Sequence, residues 1–168
     1  KVCKLSGVDE KTALDGMIEA RPDPGATIIW KLNFPDAHNY FVNLLAANDP
    51  ASTLDIWKQM GERIKDSPLC IFLNTREDRR YRTNQLLSLV FLKIKPQQLI
   101  IRGDNLPPVF FKYNKEYPEI KVKDFSSRTS YEEIINYLSK LDNYYIMGIG
   151  NIVGWGDEFL SNLKKYKA

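Results

Sequence analysis

Short apolar runs alternate with helical periodicities along nearly all of the 168 residues, and one run near the middle carries no polar side chain at all. An early pair of β-rich segments breaks that alternation. Together these observations predict an α/β fold: a three-layer, Rossmann-like sheet, mostly parallel, with an N-terminal β-hairpin. Strand-helix-strand order demands crossover connections, and crossovers make neighbouring strands parallel. The whole of 1–168 reads as a single domain, with 1–25 as a connecting helix and turn.

Residues 1–5 read as the tail of a helix already under way, which suggests a piece of something longer. Asp9 is placed to cap a helix over 10–20, with Leu14, Met17 and Ile18 on one face. Pro22-Asp23-Pro24-Gly25 stops it. Residues 27–33 are rich in β-branched and aromatic types and predict a strand. Pro35-Asp36-Ala37-His38-Asn39 is turn chemistry, and 40–46 predict the returning strand. Asp49 stands as N-cap of the next helix, and Pro50 takes its first position, where the missing N–H costs nothing. Leu54, Trp57, Met60 or Gly61, and Ile64 give that helix its stripe. Residues 69–73, Leu-Cys-Ile-Phe-Leu, predict a central strand buried on both faces. A helix over 79–94 follows, turning Leu86, Leu87, Val90, Phe91 and Ile94 inward. Residues 99–101 predict a strand and Gly103-Asp104-Asn105 a turn; 107–113 are ambiguous between loop and a turn or two of helix. Residues 120–122 read as a brief strand. Ser130-Tyr131-Glu132-Glu133 is a capping box for a helix to 141. Residues 144–149 predict the last strand, and a helix over 157–166 closes the chain.

Composition excludes several classes. Hydrophobic residues make up 43% and charged residues 27%, an ordinary globular balance. The charge, 24 Lys and Arg against 21 Asp and Glu, is +3, too small to announce a nucleic-acid or membrane protein. Collagen-like, coiled-coil, disordered and disulfide-framework readings fail on the same composition. No stretch approaches the ~18 consecutive apolar residues of a membrane span. Cys3 and Cys70 are the only cysteines. Cys70 lies in an apolar run and reads as a small buried hydrophobe, no metal-ligand spacing exists, and a reducing compartment fits best.

An open α/β sheet binds ligands beyond the carboxyl ends of its strands, so the segments that follow strands are where chemistry belongs. The sharpest begins at Asn74: Asn74-Thr75-Arg76-Glu77-Asp78-Arg79-Arg80-Tyr81-Arg82-Thr83. Arg76, Arg79 and Arg82 recur every third residue, which predicts that they line one side of a helix entry. Guanidinium forks bind carboxylate or phosphate bidentately, and a helix N-terminus adds N–H donors. The bland alternative is a charged turn neutralised by its own Glu77 and Asp78. In Ala46-Ala47-Asn48-Asp49-Pro50-Ala51-Ser52-Thr53, capping alone accounts for Asp49 and Pro50, although the small alanines permit a ligand to approach. The loop from Gly148 through Gly150 and Gly154 to Gly156 is glycine-rich enough to cradle a phosphate. Its spacing matches neither G-x-G-x-x-G nor G-x-x-x-x-G-K-[ST], and close packing explains it equally well. His38, the lone histidine, reads as a surface turn residue, so a Ser/His/Asp or Cys/His enzyme has little support.

Ala20-Arg21-Pro22-Asp23-Pro24-Gly25, the run from Phe41 to Thr53, and Asn74-Thr75-Arg76-Glu77-Asp78-Arg79 through Arg82-Thr83, in that order, resemble the ligase subunit of poly-γ-glutamate synthases. This is the CapB/PgsB type, a family related to Mur ligases. Gly148-Ile149-Gly150-Asn151 is similar to that family too, and the resemblance covers nearly the whole chain. It implies the C-terminal α/β domain of a Mur-type ligase, which follows an ATP-binding central domain. No P-loop is read in this sequence, so the resemblance implies a chain that does not catalyse ligation alone. The implied chemistry is ATP-dependent amide-bond formation that extends poly-γ-glutamate for a bacterial capsule, a virulence trait. ATP phosphorylates the γ-carboxylate of the chain, and the amine of an incoming glutamate attacks the acyl phosphate. The implied cofactors are ATP and Mg2+, held mainly by the central domain, while this domain closes over the nucleotide and positions glutamate.

The same resemblance implies roles for residues. Asn48 and Asp49 match the loop that reaches toward the nucleotide and are the catalytic pair. Ser52, Thr53, Gly148, Gly150 and Asn151 form the cofactor-binding set. Arg76, Arg79, Arg82 and Asn74 hold the carboxylates of glutamate or of the poly-γ-glutamate chain. Partners are the membrane subunits of the capsule synthase, at the cytoplasmic face of the bacterial inner membrane, with no nucleic acid. Two other readings stay open on the residues themselves. One is a free-standing Rossmann-type nucleotide- or anion-binding module, which the glycine spacing disfavours. The other is a nucleic-acid binder, which the near-balanced charge and the interleaved Glu77 and Asp78 disfavour.

Overall fold

The computed structural model describes residues 2–19, 27–46, 49–64 and 67–168. The proline-rich motif at 20–25 and Asn48 lie outside the described residues.

Six strands form one sheet. β1 (Ile28–Phe34) and β2 (Ala37–Leu44) are the antiparallel hairpin. β3 (Leu69–Asn74), β4 (Gln98–Arg102), β5 (Lys121–Phe125) and β6 (Tyr145–Gly150) run parallel to β2, in the order β1-β2-β6-β3-β4-β5. The hairpin turn is tighter than the sequence predicts. Only Pro35 and Asp36 turn, while Ala37, His38 and Asn39 already belong to β2. Asn39 is tolerated in a buried strand because its amide is fully used. Its Nδ2 donates to the carbonyl of Leu141 at 2.7 Å, and its Oδ1 accepts the N–H of Tyr144 at 2.9 Å.

The central apolar runs serve two cores at once, because successive side chains point to opposite faces. Ile71, Leu73, Leu99, Ile101, Met147 and Ile149 face one layer, built from α3 (Pro50–Ile64), α4 (Arg80–Leu89) and α5 (Pro108–Glu116). Cys70, Phe72, Ile100 and Ile146 face the other, built from α6 (Tyr131–Leu138) and α7 (Trp155–Leu163). Cys70 is buried, as its run predicts, and burial pushes its thiol far above the ordinary range. In the second core Phe41, Phe72, Phe159 and Trp155 make a continuous aromatic contact that reaches the carboxyl edge of the sheet.

The predicted helix over 79–94 is three pieces. A 3-10 turn at Glu77–Arg79 leads into α4, and a π-helical turn at Val90–Ile94 ends it, with Lys95 in the left-handed region. All five residues predicted to point inward are buried. The ambiguous segment after β4 is helix α5, opened by Pro107 and Pro108, with Phe110 in the core. Ser130 caps α6 as expected, accepting the N–H of Glu133 at 3.2 Å, but the helix stops at Leu138. α7 starts two residues earlier than predicted, because Asp157 accepts the N–H of Gly154 at 3.2 Å and draws Trp155 into the first turn. Ahead of the sheet lie α1 (Val2–Leu5) and α2 (Glu10–Glu19). Leu14, Met17 and Ile18 share α2, and all three are exposed.

Candidate functional site

Parallel order brings the carboxyl ends of β3, β4, β5 and β6 to one edge, and the loops that follow interlock there. Asn74, buried at the end of β3, donates its Nδ2 to the carbonyl of Asn151 at 2.7 Å, while Asn151 returns its N–H to the carbonyl of Asn74 at 2.8 Å. Thr75 bonds the Arg102 carbonyl twice, through its N–H and its hydroxyl, both at 2.9 Å. Two glycines permit this closeness. A Cβ on Gly150, whose φ is +102°, would meet the Asn74 carbonyl oxygen at 2.3 Å; one on Gly103 would meet Thr75 Oγ1 at 1.8 Å.

Arg102 ties these loops together, and sequence reasoning passed it over. Its Nη1 donates to Asn74 Oδ1 at 3.1 Å, its Nη2 donates to the carbonyl of Ser127, and its guanidinium lies 3.9 Å from the centre of the Trp155 ring. Burial pushes its pKa down, and the field of Asp104 opposes that shift. Asp104 in turn accepts the N–H and the hydroxyl of Ser127, bonds that hold its carboxyl below the usual range. The signal was available: Arg102 is the charged residue that ends an apolar run directly before Gly103-Asp104-Asn105, the same position relative to a strand that drew attention to Asn74.

The arginines singled out by sequence do not form one stripe, which corrects the spacing argument. Arg76 is extended (φ −129°, ψ 137°) ahead of the 3-10 turn, Arg79 ends that turn, and Arg82 lies in the first turns of α4. Arg76 lies outside any helix, and a 3-10 turn stands between it and Arg82, so helical spacing by threes does not apply across the three. Arg76 forks onto Asp78, Nε to Oδ1 at 2.9 Å and Nη2 to Oδ2 at 2.7 Å, in the open. That bond is the first cause of the lowered Asp78 pKa. Arg79 is exposed. The Arg82 field is the smallest of the influences that lower the Asp49 carboxyl, at the start of α3. Arg80, not singled out before, donates to the carbonyl of Asn105 at 3.2 Å, and Asn105 donates to Glu77.

The remaining predicted residues divide. Asp49 is exposed and caps α3, accepting the N–H of Ser52 at 2.8 Å, which is the main reason its carboxyl is held low. Ser52 is exposed beside it, whereas Thr53 is buried and donates its hydroxyl to the Asp49 carbonyl at 2.9 Å. Gly150 and Asn151 stand at the site. Gly148 does not: it is inside β6, where a Cβ would strike the Phe41 ring at 2.6 Å. Its place in a ligand loop is thus corrected to close packing within the sheet. His38 is exposed, its Nδ1 3.1 Å from Asn33 Oδ1 and away from this edge.

An open, mostly parallel sheet of this order with helices on both faces is a fold found in solved ligases of the Mur type. The fold is shared with MurF from Acinetobacter baumannii (TM-score 0.61, 11% identity, 97% of this chain and 35% of that one). It is shared equally with a folylpolyglutamate synthase from Thermotoga maritima (TM-score 0.59, 14% identity, 92% of this chain and 34% of that one). Residues 29–166 match the family model described as poly-gamma-glutamate synthase CapB C-terminal domain, and the chain belongs to that family. It is 38% identical over 170 residues to PGA synthase CapB of Bacillus subtilis (strain 168), covering 99% of this chain. It is 35% identical over 160 residues to the capsule biosynthesis protein CapB of Bacillus anthracis, covering 91%. The chain spans 43% and 33% of the lengths of those two relatives.

Proposed function

We propose that this chain is the C-terminal domain of an ATP-dependent ligase that extends poly-γ-glutamate, and that its carboxyl edge receives the incoming glutamate. The observation that carries the reading is the position of Arg76. Its fork sits two residues beyond a buried strand end, on an exposed partner it can exchange. An exposed ion pair is worth little, so a substrate carboxylate competes with Asp78 at small cost. Arg79 adds positive field from the 3-10 turn. Asn74, tied to Asn151 and Arg102, fixes the floor beneath them.

Nucleotide belongs to the α3 side of the edge in this reading. Asp49 and Ser52 are exposed at the start of a 15-residue helix, on the same carboxyl edge of the sheet, with Asp49 as its cap. ATP supplies a phosphoryl group that activates the polymer's carboxylate. Among the described residues no three His, Cys, Asp or Glu side chains gather in a metal-binding group. In this reading Mg2+ is bound with ATP mainly by the central domain of the complete ligase. No helix among the described residues is long and apolar enough to cross a membrane. Contact with membrane subunits of a capsule synthase, at the cytoplasmic face, is part of the proposal and rests on the family alone.

The test is polymer synthesis by the complete ligase. Arg76→Ala and Arg79→Ala should each lower it at least about tenfold, the effect of losing a charge-assisted hydrogen bond, while circular dichroism of the variants stays that of the parent. Parental polymer yield in both variants contradicts the assignment.

A further inference from the structure

α2 is a helix without a core. Leu14, Met17 and Ile18 recur at helical spacing, so they share one side, and they are 53%, 71% and 82% exposed. Thr12, Asp15 and Glu19 hold the other side. None of its ten residues is buried. Exposed apolar residues are ordinary singly, but three large ones grouped on one side mark an interaction surface. The helix also needs a partner for its own sake. A helix this short is marginal in water and draws its stability from packing an apolar face. Asp9 caps it, accepting the N–H of Thr12 at 3.0 Å, and a cap does not replace that packing.

We infer that this face docks on the part of the complete ligase that precedes the domain, in an apolar groove lined by aliphatic or aromatic side chains. α2 lies ahead of residues 29–166, the span matched as a C-terminal domain. The Bacillus subtilis relative nevertheless aligns over 99% of the chain, so α2 belongs to what the two proteins share. This chain spans only 43% of that relative's length. Because the matched domain is the C-terminal one, the remaining length stands on the α2 side of it, and α1 and α2 are the elements nearest to it in sequence. That length is enough for a further core. The docking rests on the chain being the C-terminal part of a longer ligase, and it is independent of the glutamate assignment to Arg76.

The test is hydrogen exchange, read by mass spectrometry on peptides covering 10–19, in the 168-residue chain and in the complete ligase. Those amides should exchange at least about tenfold more slowly in the complete ligase. Met17→Asp combined with Ile18→Asp in the complete ligase should bring them back to within about threefold of the 168-residue chain, while peptides from β3 and β6 keep the parental rate. Asp15→Lys, on the other side of the helix, should leave the protection in place. The docking is overturned if the wild-type helix exchanges equally fast in both proteins, if the double variant keeps its protection, or if Asp15→Lys exposes the helix as fully as the double variant does. It is overturned too if the complete ligase sediments as a dimer that the double variant dissolves, because a second copy is then the occupant. None of these readouts involves polymer synthesis, so Arg76→Ala in the complete ligase decides the glutamate reading separately.

Discussion

Arg76 and Arg102 occupy adjoining strand ends and could hardly be held more differently. Arg76 is partly exposed, bonded in the open to a carboxylate two residues away. Arg102 is enclosed by three loops, bonded to neutral groups and stacked on an indole. The first is an arginine that can change partners; the second is one around which a platform is built. The contrast teaches that charge at a ligand edge has two uses, exchangeable capture and fixed framework, and that burial separates them.

The largest effect comes from removing the ground both arginines stand on. Gly150→Val should destabilise the chain by at least ~2 kcal/mol in urea unfolding, since a side chain there meets the Asn74 carbonyl in a left-handed backbone. A melt equal to wild type would mean that β3 and β6 do not close on each other as described. Arg102→Met comes next. It strands Asn74 Oδ1 and loosens Trp155, and should lose about 1–3 kcal/mol by the same measurement. Arg76→Ala should change stability by less than ~0.5 kcal/mol, because its ion pair is exposed. If the two arginines proved equally important to stability, the comparison would collapse.

The smallest effect is in titration. Arg76 holds the Asp78 carboxyl below its ordinary 3.8. A carboxyl lowered in the folded state contributes stability above its unfolded pKa and loses it as pH falls through the folded one. Arg76→Ala should therefore move the Asp78 titration upward toward 3.8, seen by carbon NMR of its carboxyl, and slightly flatten the acid limb of the stability curve. An unmoved titration would show that the fork is not populated in solution.

Much of this was legible from residue order. Leu-Cys-Ile-Phe-Leu announced a doubly buried strand, and Cys70 and Ile71 now face opposite cores. Ser130 and Asp49 announced caps that form. Other features needed tertiary context. Apolar periodicity runs unbroken through Val90–Ile94, and only a π-helical turn rephases it. The stripe of Leu14, Met17 and Ile18 was readable, yet a stripe does not name what it faces, and here it faces outward. Spacing by threes suggested one arginine row on a helix, but Arg76 precedes the helix in extended backbone and Arg79 ends a 3-10 turn. Arg102 escaped notice because its importance lies in residues 25 to 53 positions away, Ser127, Asn74 and Trp155, which sequence alone does not bring together.

The central claim is that exchangeable arginine at this edge holds the carboxylate of incoming glutamate. The most direct measurement is the KM for glutamate of the complete ligase carrying Arg76→Ala, set beside its KM for ATP. The account predicts that the glutamate KM rises at least about tenfold while the ATP KM stays within about twofold. A glutamate KM unchanged from the parent, in a folded and active variant, would contradict it.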